Sequence, residues 1–201
     1  MALKPDLVMG IAEGDLKSFV DKLASLKIPV YIANPQNVPE VMTSIQKIGE
    51  VTLSSPSAAK IVGEMKGRIQ EVQDRVRGKP QVRVLHILNF DPLISAGKGT
   101  FVDDLIRLSG GRNLAEKAQG RYPRFSMEEV LAQDPEVILL ASMTQDPMTE
   151  QRQWWGRWKT LSAVKQNRIY VLDSDLIHRP SPRIAAGLEQ VARAIHPEAF
   201  K

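Results

Sequence analysis

Residues Ser57 to Gly78 read SAAKIVGEMKGRIQEVQDRVRG, with no proline among them. Apolar side chains fall at Ala58, Val62, Met65, Ile69, Val72 and Val76. Steps of four and three put all six on one face of a helix. About 20 residues at roughly 1.5 Å each make a rod near 30 Å long, the width of a small domain. Ser55-Pro56 suits its start, and Gly78 with Pro80 two residues on suits its stop. Gly63 and Gly67 lie off the stripe and cost about 1 kcal/mol each against alanine. Two readings of this helix are open. It is a surface helix whose stripe packs on a core, or it is a rigid strut joining two α/β units.

Both flanks alternate strand and helix. On the N-terminal side, Asp6 to Gly10 reads as a buried strand. The loop Ile11-Ala12-Glu13-Gly14-Asp15 follows, and then a helix to about Lys27 with Phe19, Val20, Leu23 and Leu26 inward. Ile28 to Ile32 is a second strand, and Val38 to Ile48 a second helix opened by Pro39. On the C-terminal side, Val82 to Leu88, Glu136 to Ala141 and Arg168 to Leu172 read as strands. A helix spans Phe101 to Leu108, with Thr100 and Asp103 at capping-box spacing and Gly110-Gly111 at its end. Ser126 and Glu129 repeat the capping pattern, Leu161 to Gln166 is a short helix, and Ser181-Pro182 opens a last helix ending near Ile195. Trp154-Trp155-Gly156 and Ser174 to Arg179 read as loops. This order predicts an α/β protein with two parallel sheets. Its parts are an N-terminal lobe at 1–54, the linking helix at 55–79 and a C-terminal lobe at 80–201.

The totals narrow the function. The chain has 201 residues, 43% hydrophobic and 25% charged, with a net charge of +4, as an ordinary globular protein does. Aromatics make up 5%, which argues against a stacking surface for single-stranded nucleic acid. Basic and acidic residues are interleaved, so no nucleic-acid groove is expected. The absence of cysteine removes disulfides, zinc-thiolate sites and thiol nucleophiles. No apolar run approaches the roughly 18 residues of a membrane span.

The motifs of catalysis are missing. Gly97-Lys98-Gly99-Thr100 follows a strand and precedes a helix, but the glycine a phosphate loop needs is replaced by Pro92. No GxGxxG follows a strand, and no GxSxG elbow occurs. His86, in an apolar strand, reads as a packed core residue, and His196 as a helix-end residue. His178 is different, because it follows a strand at the end where open α/β sheets hold ligands. Trp154 and Trp155 form either a hydrophobic clamp or an apolar wall for a flat ligand.

Four stretches carry a resemblance. LKPDLV (Leu3 to Val8), DPLISAGKGTFVDDLIRLSGGRNLA (Asp91 to Ala115), YPRFSMEEVLAQDPEVILL (Tyr122 to Leu140) and AVKQNRIYVLDSDLIHRPSPRI (Ala163 to Ile184) resemble periplasmic substrate-binding proteins of ABC importers for iron-siderophores, haem and cobalamin. The resemblance implies two lobes bridged by the long helix, a metal-chelate held in the cleft between them, and delivery to a permease and its ATPase. It implies no enzymatic activity and no cofactor. By analogy the ligand meets Ile11 and Ala12 on the first lobe, and Phe90, Lys98, Thr100, Trp154, Trp155, Leu176, His178 and Arg179 on the second. Lys98 and Arg179 suit an anionic chelate. No metal site of the protein's own is expected, although His178 or a tyrosine is available as an axial ligand for haem. Permease docking falls to Glu13 or Asp15. The cobalamin binder of that family has Glu where this chain has His178, and Trp where it has Ile11.

In that family further strand and helix units precede the stretch equivalent to LKPDLV. The N-terminal lobe is therefore expected to be incomplete, with an uncovered apolar face and sheet edge through which two copies pair. The resemblance also implies a periplasmic or other extracytoplasmic location, a lipid anchor being compatible, with the signal segment absent from this chain. Two rivals remain open. One is a two-lobed enzyme of the chelatase or nitrogenase type, for which Asp173, Asp175 and His178 are the available ionisable groups. The other is a dimerising fragment that binds no ligand.

Overall fold

A computed structural model describes residues 4–12, 16–142 and 148–201. The chain divides into two compact units, Met1–Pro35 and Gln36–Lys201. The boundary falls earlier than the one expected at residue 54, because the second predicted helix and the long helix both belong with the C-terminal unit.

In the first unit, β1 (Val8–Ile11) and β2 (Val30–Ala33) pair in parallel, with Val8 opposite Val30 and Ile11 opposite Ala33. Helix α1 (Lys17–Ser25) connects them, as a parallel pair requires. Strand β1 begins two residues later than the sequence suggests and includes Ile11. None of the α1 residues is buried, and Phe19 and Leu26, expected inward, are exposed together with Met9 and Ile11.

The second unit opens with α2 (Val38–Val51), capped by the Asn37 side chain accepting from the Glu40 amide. The long helix is α3 (Ser55–Val76), and its buried residues are Ala58, Val62, Met65, Ile69, Val72 and Val76, the six of the predicted stripe. Strand β3 (Val82–Ile87) comes next, and then α4 (Phe101–Leu108), β4 (Gly111–Asn113), α5 (Met127–Gln133) and β5 (Val137–Ser142). The chain continues with α6 (Met148–Trp155), α7 (Ser162–Lys165), β6 (Ile169–Asp173), α8 (Ser174–Ile177) and α9 (Ile184–Ile195).

These four strands pair in parallel, in the order β4-β3-β5-β6, with Val84 opposite Val137 and Ile138 opposite Ile169. Strand side chains alternate between two cores. Val82, Val84, Val137 and Leu139 join α3, α4 and α9 on one face. Leu85, Ile87, Ile138 and Leu140 join Val130 of α5, Trp155 of α6 and Ala163 of α7 on the other. Helix α3 therefore packs its stripe on a core, against α2 and α9, and Arg68 pairs with Glu189 across the α3–α9 seam at 3.3 Å. The N-terminus of α2 is fixed to α4, where the buried Asp104 carboxylate accepts from the Val38 amide at 3.0 Å. That bond is one reason the second unit starts at Gln36.

Four local expectations are corrected. Gly111 begins an edge strand, because Gly110, with φ near 76°, reverses the chain after α4. Trp154 and Trp155 end a helix. Ser174 to Ile177 forms a helical turn capped by the Asp173 side chain accepting from the Asp175 amide. Helix α9 begins at Ile184, and the Ser181 hydroxyl has no partner.

Glycines test this packing. A Cβ on Gly187 would stand 2.3 Å from the Leu176 carbonyl oxygen, where α9 passes under α8, whereas one on Gly63 of α3 meets nothing within 4 Å. Gly187→Ala should therefore destabilise the fold by about 2 kcal/mol through overpacking. Gly63→Ala should stabilise it by about 0.5–1 kcal/mol through helix propensity. Thermal and urea unfolding of the two variants should show opposite signs.

Candidate ligand-binding site

Because the four strands of the second unit run the same way, their C-terminal ends share one edge of the sheet. There open α/β folds place ligands. Three segments rise from that edge: residues 88–100 after β3, α6 after β5, and α8 after β6.

The first segment is held from within. Ser95 donates its amide to the Pro123 carbonyl and Gly97 its amide to the Arg121 carbonyl, at 3.0 and 2.8 Å. The Arg121 guanidinium reaches back to the Gly99 carbonyl at 2.9 Å. Thr100 donates its hydroxyl to the Gly97 carbonyl and accepts from the Asp103 amide. The Gly99 amide, which a phosphate loop would offer to an anion, donates instead to the Asp103 carboxylate at 3.1 Å. Thr100 is buried in this capping role, and Lys98 stands exposed beside it.

Aromatic packing joins the first segment to α6. The half-buried rings of Phe90 and Trp154 meet edge-to-face, with centroids 4.5 Å apart. Trp154 rests in turn on Trp155 at 5.1 Å and on Trp158 at 5.9 Å. Trp155 has 0% exposure, so it backs the cluster and offers no surface to a ligand. Phe90, Trp154 and Trp158 are the partly accessible rings of the cluster. The indole N–H groups of Trp155 and Trp158 are buried without a hydrogen-bond partner.

Helix α8 brings together two groups that lie far apart in the sequence. His178, its C-cap residue, has Nδ1 at 2.9 Å from the Ser174 hydroxyl and Nε2 at 3.3 Å from Nε2 of His86. The rings lie at 82°, with centroids 5.2 Å apart. His86 is fully buried, and its Nδ1 has no partner. Burial first, and the neighbouring His178 second, push the His86 imidazole from 6.5 to about 3. Burial also lowers His178. His86 was legible as a core residue, but nothing in its apolar strand pointed to His178, 92 residues away. Strand alternation puts His86 with Val82 and Val84 on the α4–α9 face, whereas the tryptophans belong to the opposite face. The expected second-lobe site is therefore two separate groups.

The other candidate residues are dispersed. Leu176 is half-buried. Arg179 pairs with Asp175 at 2.8 Å, which reduces its availability to an anionic ligand. Ile11 and Ala12 are exposed in the first unit. Glu13 and Asp15 lie outside the described residues. Among the described residues no group of three or more His, Cys, Asp or Glu is placed to hold a metal ion. A groove of about 320 Å³ lies near the β4 edge, lined by Arg112, Leu114, Lys117, Arg124 and Phe125 among others, and includes none of the predicted ligand residues.

Comparison with known proteins defines the class. Residues 1–176 match the family described as periplasmic binding protein. The chain belongs to that family, and the likeness carried by the four sequence stretches is borne out. It is 26% identical over 192 residues to a vitamin B12-binding protein of Vibrio cholerae, covering 95% of this chain and 68% of that one. It is 29% identical over 209 residues to an uncharacterized ABC transporter substrate-binding lipoprotein of Bacillus subtilis, YvrC, covering all of this chain and 65% of that one. In fold it is similar to the periplasmic haem-binding protein RhuT of Roseiflexus, with a TM-score of 0.83 at 21% identity over 99% of this chain and 78% of that one. The chain thus spans about two thirds of its curated relatives. These relatives are solute-binding proteins rather than enzymes, which sets aside the chelatase-type rival. Among the described residues no helix is long and apolar enough to cross a membrane.

The histidine pair sets a pH dependence. A folded-state pKa below the unfolded value means that the unfolded chain binds more protons between the two. The stability His86 contributes is full above about pH 6.5 and is lost as pH falls toward about 3. In chelator-treated buffer, lowering the pH from 6.5 to 5 should cost about 2 kcal/mol from this group. Urea unfolding at several pH values checks it, and a His86→Leu variant should show a flatter profile.

Proposed function

We propose that this chain is the extracytoplasmic solute-binding component of an ABC importer, carrying a metal-chelate to a permease driven by its ATPase. The chelate is a ferric siderophore, cobalamin or haem. The observation that carries the reading is the Phe90–Trp154 face at the C-terminal edge of the sheet, in a chain belonging to a family of periplasmic binding proteins. A flat or bulky ligand gains from such a face both apolar burial and ring contact. The vitamin B12-binding relative supports the chelate class, and the lipoprotein relative supports the importer. Phe90, Lys98, Trp154 and Leu176 of the second unit are the residues we assign to ligand contact. Trp155 and Thr100 support them from beneath, and Arg179 contributes after releasing Asp175. Glu13 or Asp15 would meet the permease.

Tryptophan fluorescence titrated separately with haem, cobalamin and a ferric siderophore tests the reading. One of the three should quench saturably. Trp154→Ala should weaken that ligand by about 1 kcal/mol or more, about fivefold in Kd. No saturable quenching by any of them overturns the assignment. The exposed Met9, Ile11, Phe19 and Leu26 motivate a separate expectation, self-association through the first unit. Light scattering should show mass rising with concentration, and a monomer at high concentration excludes it.

A further inference from the structure

We propose that His86 and His178 form a two-histidine site for a late first-row divalent cation such as Zn²⁺, held through the Nε2 atom of each ring. Distance is the first ground. Two ring nitrogens each about 2.0–2.1 Å from a tetrahedral ion stand roughly 3.3–3.4 Å apart. The Nε2 atoms of His86 and His178 stand 3.3 Å apart. The pair already has the bite that an ion requires.

Tautomers are the second ground. Two neutral arrangements satisfy both contacts, with opposite donor directions, and the one closer to ligation is the following. His178 carries its proton on Nδ1 and donates to the Ser174 hydroxyl, and its bare Nε2 accepts from Nε2–H of His86. Ligation needs both Nε2 lone pairs free, so the His86 proton must move to Nδ1. That atom has no hydrogen-bond partner, and the transfer breaks no bond other than the one the ion replaces. Both rings stay neutral and no proton is released. Ser174 fixes the His178 ring from behind, in the role that groups behind metal-bound histidines ordinarily play.

The surroundings decide the kind of ion. No carboxylate or third histidine completes the set among the described residues, so hard cations such as Mg²⁺ and Ca²⁺, which need several oxygens, have no ligands here. Imidazole nitrogens suit zinc, copper and nickel. His178 is only partly buried, so the ion's remaining positions open on its side toward water or an exogenous anion. The ion is offered without any chelator, so failure of this site would leave the carrier reading intact.

The test uses the untagged chain stripped with EDTA. Calorimetric titration with Zn²⁺ should show one saturable site per chain, undisturbed by excess Mg²⁺, and Co²⁺ should give visible absorption on binding. His178→Ala should lose the site, and Ser174→Ala should weaken it about tenfold. Because His86 lies in the core, ¹⁵N imidazole spectra of the unaltered chain serve in place of a variant there, and Zn²⁺ should shift Nε2 of both rings. Absence of a saturable site, a site unchanged in His178→Ala, or a shift confined to one ring overturns the proposal.

Discussion

A parallel strand in an open sheet cannot leave a face wet, and the second unit is built around that constraint. The side chains of β3 alternate between two cores, and five of its six residues are buried. Each face therefore needs helices. Helix α3, with α4 and α9, covers one, and α5, α6 and α7 cover the other. The α3 stripe is the long-range part of this cover. Burying a Val, Ile or Met side chain contributes roughly 1.5–3 kcal/mol, and four or five such residues in register outweigh the glycines that weaken the helix.

The same constraint directs the chemistry. Parallel strands bring their C-terminal ends to one edge, and the segment after each strand there must be irregular, capped or short. The chain satisfies these segments with its own groups. Arg121 and Asp103 hold the turn at residues 95–100, Asp173 caps α8, and Ser174 orients His178. The glycine-lysine turn is consequently closed to phosphate, because its free amide is already taken. The half-buried rings of Phe90 and Trp154 pack against each other at the same edge.

Family membership states the class of function, and the side chains must state the ligand. One fold serves a vitamin B12-binding relative and a haem-binding neighbour. The fold alone therefore does not choose the ligand. His178 does not stand free at the sheet edge. It is turned inward onto His86 rather than outward as a surface residue, so its chemistry belongs to the core-side pair.

Hydrophobic period, turn residues and capping spacing determined the order of the longer strands and helices, the α3 stripe residue for residue, and the reciprocal cap of Ser126 with Glu129, at 2.7 and 3.2 Å. These are local properties, written in side-chain spacing along one segment. Short elements such as β4 and α8 have too few residues to show a period, and Trp154–Trp155 lacks the flanking stripe that would reveal α6. Only the tertiary structure decided that Trp155 is fully buried while Trp154 is half-buried, that α2 and α3 belong with the C-terminal unit, and that His86 meets His178. Each depends on which strands are neighbours and which face a residue takes. That pairing of segments distant in the chain leaves no trace in the spacing within either one.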